Sequence, residues 1–180
     1  MISTFVLRHR RRLGTALVTT AFLVTLSGCS ESGPKREYAT PRSLCGTAVD
    51  AKDLTEFLPA GKKVSTTSAT EGSRASRCTV AVDGKRVVYT AQQWWNDMSV
   101  LEFARGMTLE KVDQQTDDGR FAYSVNQAFG KTEGCRGNRH EGQVLYTAIQ
   151  ATHSDHEDAA AMKKLITSYT EAVERSGACR

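Results

Sequence analysis

The sequence predicts an α+β domain: an antiparallel sheet of about five strands, packed by a long C-terminal amphipathic helix and one or two short helices. Two apolar runs, Arg77–Val82 and Lys85–Gln93, flank Asp83-Gly84, the dipeptide preferred in two-residue type I′ turns, and so form a hairpin. Near the C-terminus, Met162, Leu165, Ile166, Tyr169 and Val173 fall on one helical face. Strand patterns joined by tight or medium turns favour antiparallel pairing, and a helix with such a stripe needs a sheet face to cover.

Taken in order, Asp50 caps a short helix over Ala51–Leu58, with Leu54, Phe57 and Leu58 facing inward and Pro59 and Gly61 stopping it. A weak strand near Lys63–Ser68 and a polar loop, Ala69–Ser76, precede the hairpin. Asn96–Met107 holds a short helix with Ser99-x-x-Glu102 as its capping box and Val100, Leu101, Phe103 and Ala104 on its apolar side. Thr108–Gly119 is polar and reads as a surface loop, Phe121–Val125 alternates as a strand, and Gly130–Gly142 reads as a turn region. Gln143–Thr152 is the last strand. Ser154-x-x-Glu157 reads as the capping box of the final helix, and Gly177 stops it.

Ahead of this domain, Arg8-His9-Arg10-Arg11-Arg12 precedes an apolar run from Leu13 to Leu26, and Leu26-Ser27-Gly28-Cys29 closes it. Basic residues, an apolar stretch and small residues in that order make a secretory signal. The run is too short to span a bilayer core, which needs ~20 predominantly apolar residues. The closing tetrapeptide resembles the lipobox of bacterial lipoproteins. That resemblance implies cleavage between Gly28 and Cys29, a diacylglyceryl group on the Cys29 thiol, and a position at the outer face of the bacterial cell membrane. The expected organisation is a signal peptide over 1–28, a lipidated N-terminus and flexible tether over 29–42, and a single globular domain over 43–180. Ser30–Arg42 would reach at most ~45 Å when extended and roughly 20 Å as a coil.

The formal charge of +4 comes from 24 basic and 20 acidic residues, and residues 1–28 contribute four arginines and no acid. Removal of that segment leaves the rest near neutrality, which takes away the electrostatic argument for a nucleic-acid partner. Beyond Cys29, four cysteines remain. An even number in an exported chain implies disulfides, and the expected pairs are Cys45–Cys78 and Cys135–Cys179, each pinning the edge of one half of the domain. A zinc site is the rival reading, but the four cysteines are scattered and make no C-x-x-C pair.

Three clusters carry candidate chemistry. His153, Asp155 and His156 are the densest set of metal-ligand types, yet acids at a helix start also complement the macrodipole, and Ala160 stands where a zinc-protease motif needs its second histidine. Trp94 and Trp95 are candidate ligand contacts. Neighbours in a strand point to opposite faces, so one enters the core of a one-sided sheet and the other is left at an edge or under the short helix. His140 lies beside Arg136 and Arg139 in the glycine-rich turn region, a loop suited to an anion or simply to solvent. Phosphate-cradling and nucleophile-elbow motifs are absent from the sequence.

Cys45-Gly46-Thr47-Ala48-Val49-Asp50, Val82-Asp83-Gly84, Trp94-Trp95, and Leu165-Ile166-Thr167-Ser168-Tyr169 leading to Ser176-Gly177-Ala178-Cys179 together resemble the small lipoproteins of actinobacteria. That resemblance implies an envelope location and brings no catalytic residues. The expectation is therefore a lipid-anchored, monomeric, non-enzymatic binding or interaction module without a cofactor or metal, partnered by the membrane through its anchor. The alternative is an envelope hydrolase or metal-dependent enzyme using His153, Asp155 and His156.

Overall fold

The structure, a computed structural model, describes residues 35–108, 110–135, 137 and 139–179. The expected signal peptide, the lipobox and Cys29 lie outside the described residues. A two-stranded ribbon, β1 (Ser43–Leu44) and β2 (Thr47–Ala48), leads into helix α1 (Ala51–Glu56). Strands β3 (Val64–Glu71), β4 (Ala75–Val82) and β5 (Lys85–Asn96) form one meander. Helix α2 (Val100–Met107) crosses to a second meander of β6 (Gln114–Gln115), β7 (Phe121–Tyr123), β8 (Gln127–Lys131) and β9 (Gln143–Gln150). Helix α3 (Ala159–Glu174) and a 3-10 turn, Gly177–Cys179, close the domain.

The meanders join through β5 and β9 into one seven-stranded sheet of order β3-β4-β5-β9-β8-β7-β6, all pairs antiparallel. The α+β class, the antiparallel pairing and the C-terminal helix agree with expectation. The strand count does not: seven strands and a separate ribbon replace about five. β8 lies where a turn region was expected to begin, and Gln127 to Gly130 are all buried, so no inside–outside alternation marks it. β6 is two exposed glutamines held by pairing with β7. β3 and β4 also run into the expected loop 69–76, leaving only the turn at Gly72–Arg74.

Helices cover both faces of the sheet, which explains the lost alternation. On one face Val88, Trp94, Leu145, Ile149 and Ala128 meet Met162, Leu165, Ile166, Tyr169 and Val173 of α3, with Leu54, Phe57 and Leu58 of the α1 region in the same core. On the other, Ala91, Phe129, Tyr146 and Ala148 meet Val100, Phe103 and Ala104 of α2. Phe103 stacks on Tyr146 at 4.6 Å and meets Phe129 edge-on at 6.1 Å between ring centroids.

α3 approaches β8 so closely that Gly130 has no room for a methyl group. A Cβ there would lie 2.4 Å from Thr170 Oγ1 and 2.6 Å from Thr147 Oγ1, hydroxyls that are themselves hydrogen-bonded at 2.6 Å. Gly130→Ala is expected to destabilise the fold by about 1–3 kcal/mol through overpacking, read as a lower urea midpoint at unchanged slope.

The Asp83-Gly84 hairpin forms as expected: Asp83 and Gly84 have φ of 49° and 81°, both positive as a type I′ turn requires. The Asp50 cap and the Ser99–Glu102 capping box are also present. The box expected at Ser154 and Glu157 does not form. α3 starts later, at Ala159, because Asp158 N donates to Val125 O at 3.2 Å and the Asp158 carboxylate accepts from Ala160 N and Ala161 N. Ser154 Oγ instead accepts from His156 N at 3.1 Å.

Both disulfides pair as expected, Cys45 with Cys78 and Cys135 with Cys179. Part of the stretch assigned to the tether lies against the domain. Glu37 N donates to Gly61 O at 2.8 Å, the Arg36 guanidinium donates to the carbonyls of Thr55 and Leu58, the Tyr38 hydroxyl donates to the Pro59 carbonyl, and Thr40 and Thr55 share a hydrogen bond.

Several surface carboxylates hold backbone N–H groups and are shifted below their usual range for that reason. Asp50, Asp158 and Glu102 do so as helix caps, and Asp83 by accepting from Lys62 N and Lys63 N. Asp118 is lowered first by the Thr116 hydroxyl and then by Arg120 N. A carboxyl group held lower in the folded than in the unfolded chain adds stability above its unfolded value, and that stability is lost as pH falls through the folded value. Stability is therefore expected to be flat near neutrality and to decline below the ordinary carboxyl values of 3.8 and 4.5. Urea unfolding at several pH values checks this, and raised salt must not abolish it, because hydrogen bonds rather than distant charges cause the shifts.

Candidate functional site

β5 outruns its neighbour. Its pairing with β4 ends at Gln93, whereas its pairing with β9 continues through Trp94, Trp95 and Asn96. On the open side the β3–β4 turn takes over, and Trp94 N donates to Arg74 O at 3.0 Å. Strand alternation then sends the two tryptophans to opposite faces. Trp94 packs in the α3-side core with only 6% of its surface exposed, while Trp95 is 46% exposed. The Trp95 indole N–H donates to Gln93 Oε1 at 2.9 Å.

Trp94 stacks flat on His140, with ring centroids 4.5 Å apart and planes within 5°. The imidazole is held from behind, its Nδ1 lying 3.0 Å from Gln143 Oε1. Gly137 sits against the edge of this stack. A Cβ there would stand 3.1 Å from Trp94 Cζ2 and 3.0 Å from His140 Cδ2, a tight fit that a side chain would relieve only by pushing the stacked rings aside by a few tenths of an ångström.

Around the stack opens a cleft of about 350 Å³, walled by the β3–β4 turn, by Gln92 and Trp94, by Gly137, Arg139 and His140, and by Gly177 and Ala178. A smaller cavity of about 180 Å³ adjoins it, sharing Arg74 and Trp94 and adding Trp95, Asn96 and Gln143. A wider hollow of about 620 Å³ lies across His140, bordered by Lys131 and Glu141. Among its described lining residues, the first cleft carries Arg74, Arg139 and His140 and no carboxylate. Among the described residues, no acid lies within ion-pair distance of either arginine. Guanidinium groups with no internal anion attract one from outside.

The structure thus unites two features that stood apart in the sequence, the tryptophan pair and the loop at His140 and Arg139. Arg136, the third member of that loop, lies outside the described residues. Arg74 was missed. It sits in a segment that reads as an ordinary polar loop, and nothing local distinguishes it from other surface arginines. Its signal is purely spatial, set by the Ala75↔Gln93 pairing that brings the turn alongside Trp94.

His153, Asp155 and His156 are not gathered into a site. His153 Nδ1 lies 3.2 Å from Thr152 Oγ1. His156 turns to α1, its Nε2 3.4 Å from Glu56 Oε2 and its ring edge-on to Phe57 at 5.4 Å. Among the described residues, no three His, Cys, Asp or Glu side chains converge to hold a metal ion, and no helix is long and apolar enough to cross a membrane. No family model, curated protein or solved structure matches the chain.

Proposed function

We propose that this chain is an exported protein, held at the outer face of the bacterial cell membrane by a diacylglyceryl group on Cys29, whose folded domain works as a binding module. The anchor rests on the lipobox and on the basic and apolar stretches before it. The observation that carries the binding role is the cleft around the Trp94–His140 stack, whose described lining residues include Arg74 and Arg139 and no acid. Its volume lies within the range of small-molecule sites, and charged groups and rings converge in it. The same geometry favours holding over turning over. No hydrogen bond joins the His140 ring to Ser73 or Ser76, its Nδ1 is engaged by Gln143, and the described lining residues offer no carboxylate to orient a base.

Two measurements test this. Cys29→Ser is expected to release the protein from the membrane fraction and to end incorporation of labelled fatty acid; an unchanged distribution refutes the anchor. For the domain, tryptophan fluorescence of the full-length lipoprotein in detergent is expected to change saturably on addition of fragmented cell wall. A flat titration ends the binding role.

A further inference from the structure

We propose that the groove at the end of β5 binds an acidic saccharide, with a sugar ring lying on Trp95 and carboxylates met by Arg74 beside it and by Arg139 in the adjoining cleft. This rests on the binding role assigned above and adds the chemical class of the ligand.

Trp95 is the largest exposed apolar side chain among the described residues. It is also preset: its N–H is tied to Gln93 Oε1, and the Gln93 amide donates in turn to Met107 Sδ at 3.3 Å. A ring fixed before binding loses little rotamer freedom on contact. The electron-rich face of an indole attracts the weakly positive C–H face of a sugar ring while excluding water from it. Asn96 and Gln143 border the same cavity. Planar amides offer a donor and an acceptor side by side, the pattern that neighbouring sugar hydroxyls need. Gln143 uses its oxygen on His140, which leaves its two amide N–H donors for the groove.

Arg74 borders both the Trp95 cavity and the cleft at the Trp94–His140 stack, and Arg139 borders the cleft alone. A guanidinium meets a carboxylate with two parallel hydrogen bonds, so the arginines select a planar acid group attached to whatever covers the indole. A neutral saccharide would use Trp95 without the arginines. A free anion would use the arginines without Trp95. The joint arrangement selects a ligand that carries both features.

The test uses the full-length lipoprotein in detergent, titrated with tri-galacturonate, maltotriose and inorganic phosphate and followed by calorimetry and tryptophan fluorescence. Tri-galacturonate is expected to bind at least tenfold more tightly than maltotriose. Arg74→Gln and Arg139→Gln should each erode that preference, Trp95→Ala should weaken both saccharides, and the two arginine variants should melt with the parent protein because their side chains are exposed. Added salt should narrow the preference, as screening requires for exposed charges. Equal affinity for the two saccharides overturns the proposal. So does full competition by phosphate together with indifference to Trp95→Ala, which marks a free-anion site. If cell-wall fragments bind and tri-galacturonate does not, the ligand class falls and the binding role stands; if neither binds, both fall.

Discussion

Replacing Cys135 and Cys179 together by alanine is expected to lower the unfolding free energy by up to about 4 kcal/mol and to abolish binding in the groove. The bonded cysteines are 44 residues apart. The chain-entropy estimate for releasing a loop of that length is about 4 kcal/mol, reached only if the native state keeps its geometry. The functional consequence comes from position. Cys135 begins the segment that carries Gly137, Arg139 and His140, and Cys179 ends the turn that carries Gly177 and Ala178. Two walls of the cleft are stapled by this one bond.

Cys45–Cys78 supplies the control, because its separation of 33 residues gives nearly the same estimate, about 4 kcal/mol. It joins the β1–β2 turn to β4, and neither cysteine lines the cleft. Its double alanine variant should be comparably destabilised and still bind cell-wall fragments at temperatures where it remains folded. Urea unfolding and a fluorescence titration of both variants decide the matter. Equal loss of binding in the two would show that the Cys135–Cys179 bond does not set the cleft walls.

The second large effect separates the tryptophans. Trp94→Ala is expected to cost about 3–5 kcal/mol, the range for removing a large buried aromatic side chain, and to release His140 from its stack. Trp95→Ala should cost less, about 1 kcal/mol, because the ring is half exposed and the main loss is the hydrogen bond to Gln93 Oε1, while weakening ligand binding. Neighbours in sequence would thus differ several-fold in stability cost and diverge in function. Chemical denaturation read by circular dichroism, which does not depend on the deleted fluorophore, measures the contrast. Similar costs for both would contradict the assignment of the two rings to opposite faces of the sheet.

Local chemistry was legible wherever one residue type answers one backbone need. Asp83-Gly84 marked its turn because few residues accept positive φ at both positions. Ser99 and Glu102 marked a helix start, and the stripe from Met162 to Val173 marked the buried face of α3. The limits of such rules show at the same places. Asp83 also ties down the start of β3 by accepting from Lys62 N and Lys63 N, a role no turn rule contains. Ser154 and Glu157 met the capping-box pattern, yet Asp158 took the cap once Val125 held its backbone.

By itself, then, the sequence determined the hairpin, the helix faces and the class of fold, because those depend on neighbours a few residues apart. Tertiary structure decided the rest. β8 became a strand because helices bury both its faces, and Gly130 is tolerated there because α3 leaves room for nothing larger. The groove has the same origin. Arg74, Trp94 and His140 belong to three segments with no local pattern in common, and only the pairing of β5 with β4 and β9, together with the Cys135–Cys179 bond, brings them to one place.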